Sequence, residues 1–261
     1  MSVPFVLLII LFALMTIIGG KRGAKSFFTL ILNFVTLFVM LGIMTIGVDP
    51  VKVTVLGCIV ITSVTLFYIN GFSKKTVASL LSVIVVVLMT ILLTFKMAAG
   101  ANIQGFSWEQ AESISGLSTY IQLDFTRVVM CEILIGLLGA IIDVSISISS
   151  SMNELLNNNT SISKNALLKS GINIGKDILG TMTNTLLFAY IGGFMTLIVW
   201  FYDLHYSASD IINAKIFCAE VFQILSSGIG IILIIPITAV ISSRFLFLNF
   251  PVKKASPGTR I

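Results

Sequence analysis

Charge is what this chain has least of. Asp, Glu, Lys and Arg together make up 10% of its 261 residues, beside 1 histidine. A water-soluble domain carries about 25% charged residues, so a fold kept in solution by its own surface is excluded. Cysteine is also sparse. Cys58, Cys131 and Cys218 lie far apart inside apolar runs, which suits small buried hydrophobes and leaves neither a disulfide framework nor a zinc site. No segment gathers the basic residues into a face, so the net charge of +5 does not point to nucleic acid. His205 with Asp203 and Asp210 reads as a solvated loop, and no metal or cofactor is expected.

What is abundant is apolar. Hydrophobic residues reach 57%, the mean hydropathy is +1.07, and runs of about 20 apolar residues recur, each enough to span a bilayer core. These features predict an all-α polytopic membrane protein with about seven transmembrane helices, at 3–19, 27–46, 51–69, 77–97, 125–149, 178–200 and 214–243. The first run has no basic residue before it and Lys21, Arg22 and Lys25 after it, the reverse of a cleavable signal peptide. Residues 1–97 read as a four-helix apolar scaffold, 98–124 as an extracellular interfacial loop, 125–243 as a three-helix region and 244–261 as a cytoplasmic basic tail. Within the loop, Ser107-Trp108-Glu109-Gln110 fits a capping box on a short amphipathic helix, with Trp108 as interfacial anchor. Asp124 is placed to cap the fifth span.

Basic residues set the expected orientation. With the N-terminus outside, Lys21, Arg22, Lys25, Lys74, Lys75, Lys164, Lys169, Lys176, Arg244, Lys253, Lys254 and Arg260 face the cytoplasm, twelve of the 16. Lys52, Lys96, Arg127 and Lys215 remain outside, each beside a span end where it can snorkel. The positive-inside rule favours this arrangement, with the C-terminus in the cytoplasm.

Residues suited to chemistry gather between Cys131 and Gly193. On the fifth span, Glu132, Gly136, Gly139 and Asp143 share one helical face. Close helix packing accounts for the glycines but not for Asp143, since a carboxylate among lipid-facing residues needs a polar partner or water. Glu132 lies nearer the outer surface and either joins that site, or simply reaches the interface or pairs with Arg127. Ser145, Ser147, Ser149, Ser150 and Ser151 either line a wet path or end the helix. On the sixth span, Asp177, Thr181 and Asn184 share a face, with Asp177 doubling as a candidate cap and Gly175, Gly180 and Gly193 as packing or hinge positions. The seventh adds Glu220, Gln223 and Ser226-Ser227-Gly228 ahead of Pro236, where the missing N–H predicts a kink.

The runs GLLGAIIDVSISISSSMNEL at 136–155 and SGINIGKDILGTMTNTLLFAYIGG at 170–193 resemble the signature of the YibE/F family of bacterial membrane proteins. Asp143, Glu154, Gly175, Asp177, Gly180, Thr183, Asn184, Tyr190 and Gly193 carry the match. The resemblance implies a multi-helix protein of the bacterial plasma membrane, of the smaller type that pairs with a longer YibE/F-like relative. It implies no substrate.

Three functions are weighed. The favoured expectation is a transporter or channel component with a cation or proton site built from Asp143, Asp177, Asn184, Thr181 and Glu132. The alternative is a non-transporting assembly subunit that pairs with the longer relative, with a homo-oligomer also open. An aspartyl protease is disfavoured, because Ile174-Gly175-Lys176-Asp177 lacks the Gly-x-Gly-Asp pattern and Asp143 and Asp177 are expected at different depths. An enzyme is therefore not expected.

Overall fold

The computed structural model describes residues 3–101 and 125–248, and every element among them is a helix. The first, α1 (Val3–Thr45), folds back on itself at Gly20, whose φ of 55° and ψ of −140° suit only glycine. In a straight helix residues 12 and 27 stand about 22 Å apart, yet the rings of Phe12 and Phe27 have centroids 4.9 Å apart. At the reversal Gly23 lies so close to the Met15 backbone that a Cβ there would collide with it. The runs predicted at 3–19 and 27–46 are the two arms of this hairpin.

Next comes α2 (Pro50–Ser63), started by Pro50 and by the Asp49 carboxylate, which accepts from the Val51 N–H at 3.0 Å. It continues as a π-helical turn, Val64–Tyr68. Then follow α3 (Lys74–Ala101), α4 (Phe125–Asn158), α5 (Lys164–Asp203), the short α6 (Ala208–Asn213) and α7 (Lys215–Phe245). Ser207 and Asp210 form a capping box at α6, and the bonds from Ser207 hold the Asp210 carboxyl below its ordinary range.

Among the described residues, five helices are long and apolar enough to cross a membrane, or six with the bent α5 counted as one span. In α5 the segments Lys164–Gly193 and Met195–Asp203 meet at 41°, just after Gly192-Gly193, where two missing side chains loosen the helix. Large side chains such as Leu92, Phe188 and Val199 are exposed around the bundle, a surface compatible with a membrane protein.

The helices overrun the spans expected from hydropathy. α4 continues to Asn158 rather than stopping at 149, and α5 begins at Lys164 rather than 178. Apolar runs end where polar residues begin, but a helix continues until its backbone bonds are capped. Ser163 supplies that cap, accepting from the Ala166 N–H at 3.2 Å, and Asn159 turns the chain by accepting from Ser161. α7 runs through Pro236 as one helix. The expected capping box at Ser107 to Gln110, Asp124 and residues 249–261 of the basic tail lie outside the described residues.

Two sets of contacts define the ends of the bundle. At the basic end, Arg22 donates to Asn70 Oδ1 at 2.6 Å, Lys74 donates to the Leu246 carbonyl at 3.3 Å, and Lys164 sits over the Phe247 ring. At the other end Arg127 pairs with Asp49 at 2.6 Å.

Between them α4 is central, packed on α2, α3, α5 and α7. Ile133, Leu134, Leu137, Ile141 and Ile148 are wholly buried. Hydroxyls stitch this core. Ser149 donates to the Lys75 carbonyl at 2.9 Å and accepts from Ser242 at 3.2 Å, while Ser79 donates to the Ser145 carbonyl at 3.2 Å. Ser145 and Ser149 thus hold helices together, and neither lines a wet path nor ends α4.

Small residues set the closest approaches. A Cβ at Gly171 would lie 3.2 Å from Ala239 Cβ, and one at Gly175 would strike Ile235 Cγ2 while lying 3.2 Å from Ile148 Cδ1. Gly175→Val is therefore expected to lower stability by about 1–3 kcal/mol, the usual cost of overpacking. Thermal unfolding of the purified protein checks this, and an unchanged melting temperature would mean that α5 does not pack this tightly on α7.

Candidate functional site

Carboxylates recur along α4 every eleven residues, at Glu132, Asp143 and Glu154. Eleven residues are about three turns, so successive acids sit about 16 Å apart and within about 20° around the helix. Gly136, Gly139, Ser147 and Ser150 fill the same stripe. The opposite side of α4 carries the Ile and Leu side chains of the core, and burying that side leaves the stripe on the surface. Glu132, Asp143 and Glu154 are exposed, and none is joined by a hydrogen bond or ion pair to another described residue.

The polar face of α5 also points away from the core. Asp177, Gly180, Thr181 and Asn184 are exposed. Thr181 bonds back to the Ile178 carbonyl at 2.8 Å. Asp177 lies well inside α5, so it caps nothing. The contacts of Gly171 with Met152, Gly175 with Ile148 and Gly136 with Tyr190 fix the antiparallel register of α4 and α5, and this register sets Asp143 level with Thr181. Nearer the basic end, Ser151, Glu154, Asn158, Ser170, Asn173 and Asp177 line a groove of about 450 Å³. The structure thus sets Asp177 in one groove with Glu154 and Thr181 level with Asp143, with Asn184 about one turn further along α5.

Glu132 belongs to a different place. With Gln223 it forms the polar side of a cavity of about 810 Å³ toward the Asp49 end, walled by Met40, Met44, Val128 and Ile135. Gln223 is 9% exposed and hydrogen-bonds no described residue. Behind the cavity the Tyr190 hydroxyl lies over Gly136 and hydrogen-bonds Ser227 at 3.2 Å. Residues from α4, α5 and α7 converge here, a cluster the sequence alone did not assemble. The available signal was the one-turn spacing of Gln223 and Ser227 on α7.

The glycines divide into two groups. Gly136 and Gly175 are in close contact with neighbouring helices, whereas Gly139, Gly180 and Gly193 have nothing within 4 Å of an added Cβ. The open glycines Gly139 and Gly180 sit on the same outward faces as Asp143 and Asp177. Pro236 is exposed on the surface of α7.

The Gly136–Tyr190 contact makes a specific expectation. Gly136→Ala should push the Tyr190 hydroxyl off Ser227 and cost about 1–2 kcal/mol, within the range for overpacking. Adding Tyr190→Phe removes the colliding oxygen and should recover part of that loss. Thermal unfolding of both variants checks the coupling, and additive effects would mean that the two residues do not touch.

No curated protein and no solved structure matches the chain. The model of the YibE/F-like protein family matches residues 7–247. That match covers nearly the whole chain and includes every helix of the bundle, so the chain belongs to the YibE/F-like protein family.

Proposed function

We propose that this chain is a subunit of a transport or channel assembly of the bacterial plasma membrane, with a cation or proton path along the α4 stripe where another chain covers it. The supporting observation is Asp143, exposed and joined by no hydrogen bond or ion pair to another described residue, between the apolar turns 137–142 and Val144 of α4. Arg127, level with the start of α2, and Ser149, level with the start of α3, are twenty-two residues apart, about 33 Å of helix. That length fits a hydrocarbon core of about 30 Å and sets Asp143 about 9 Å inside its basic boundary. A charged Asp costs about 2.5–3.5 kcal/mol at the centre of a span on insertion scales, and part of that cost applies at this depth. Protein or water must therefore cover it, and no described residue bonds it at that face.

In this reading the two arms of α1, α2 with its π-turn, α3, α4, α5 and α7 make seven spans. The N-terminus lies outside and the basic end in the cytoplasm. Glu132, Asp143 and the Glu154–Asp177 groove are successive stations from one side to the other, with Thr181 and Asn184 as neutral ligands beside Asp143. The covering chain is a longer YibE/F-like relative or a second copy. No catalytic step is assigned. The open glycines Gly139 and Gly180 also favour a second reading, a subunit whose outward faces serve assembly alone.

Flux measurements on proteoliposomes separate the two, with the chain alone and then with its longer relative. Asp143→Asn is expected to reduce proton or alkali-cation flux to background while leaving insertion intact. Full flux in that variant would sink the transport reading, and a stable complex without flux in any preparation would select assembly. Gly139→Cys, in a chain with Cys218→Ser, is expected to crosslink to a neighbouring chain in membranes, and a product that stays monomeric would remove the interface.

A further inference from the structure

We propose that the basic end of the bundle holds a binding site for the phosphate of an anionic phospholipid headgroup. Lys21, Arg22, Lys25 and Lys75, with Asn70 and Ile69, line one cavity of about 360 Å³. The four cations come from two separate parts of the chain. The reversal at Gly20 places Lys21, Arg22 and Lys25 at the turn of the α1 hairpin, and Lys75 opens α3. A hydrogen bond of 2.6 Å from Arg22 to Asn70 Oδ1 locks the two parts together, so the convergence is built into the fold. The Lys25 ammonium also sits 6.0 Å from the centre of the Tyr68 ring, which restrains its position.

No carboxylate lines this cavity. Four like charges held together repel one another, and an anion relieves that repulsion. The volume suits a phosphate with part of its glycerol. Ile17 and Ile18, just before the reversal, are 78% and 84% exposed, and they offer acyl chains a surface beside the headgroup. This combination selects a lipid phosphate over a free one. The site is separate from the α4 stripe, and its occupancy does not depend on whether the chain transports anything.

Native mass spectrometry of the full chain in detergent tests this, with phosphatidylglycerol and phosphatidylcholine supplied in equal amounts. The wild type is expected to retain phosphatidylglycerol in preference. Each cation removed should weaken that binding about five-fold, from the ~1 kcal/mol that a Lys or Arg contributes near an anionic surface. Lys25→Gln with Lys75→Gln is therefore expected to lose the preference, whereas Lys52→Gln with Lys215→Gln, at the other end, keeps it. Phosphatidylglycerol should also raise the melting temperature of the wild type and not of the Lys25/Lys75 variant, a readout that requires both proteins to be folded. Equal retention of the two lipids, or an undiminished preference in the Lys25/Lys75 variant, overturns the proposal. A rise in melting temperature with inorganic phosphate equal to that with phosphatidylglycerol overturns the lipid assignment.

Discussion

Ser149 joins three helices through one oxygen. It gives its proton to the Lys75 carbonyl on α3 and receives one from Ser242 on α7, all inside the bundle. In lipid, apolar contact between helices competes with equally apolar acyl chains, so close packing and hydrogen bonds between helices do the orienting. Each such bond contributes modestly, about 0.6 kcal/mol on average. Geometry makes the cluster matter. With Ser145 and Ser149 turned toward α3 and α7, the rotation of α4 about its axis is fixed. The carboxylates on its other side then have to face outward.

This reverses the arrangement in which a transporter encloses polar groups within its own helices. Here the interior holds Ile, Leu and small hydroxyl side chains such as Ser79, Ser145 and Ser149, while Asp143, Asp177 and Asn184 occupy the outside. The glycines follow the same division. Gly171 and Gly175 are consumed by contacts within the chain, and Gly139 and Gly180 remain available on the outward faces. The described helices therefore pack around an apolar core and carry outward polar residues without partners among them.

Much of this was legible in the sequence. The all-helical class, the membrane-like composition and the alignment of Glu132, Gly136, Gly139 and Asp143 on one face follow from periodicity. Which way that face points does not, because a stripe of acids and glycines is equally regular whether it turns inward or outward. The serines show the same limit. Ser145, Ser147 and Ser149 alternate between opposite sides of α4, and only packing reveals that the first and third are buried while the second is not. Tyr190 was visible only through the family resemblance, since a tyrosine among apolar residues does not announce a partner on another helix. The end of α4 and the start of α5 were misplaced for a simpler reason: hydropathy measures where lipid is tolerated, and a capped helix needs no lipid.

That overrun has a consequence for how the stripe senses its surroundings. Beyond Ser149, α4 extends about 13 Å to Asn158, and α5 rises beside it from Lys164, so the Glu154–Asp177 groove stands where the aqueous phase reaches it. At physiological ionic strength the screening length in water is about 8 Å. Salt on that side therefore mutes the field of Glu154, and it acts far less on Asp143, three turns deeper among apolar helices. A single row of carboxylates is in this way divided between two dielectrics, one part tuned by the salt of the aqueous phase at the basic end and the other shielded from it.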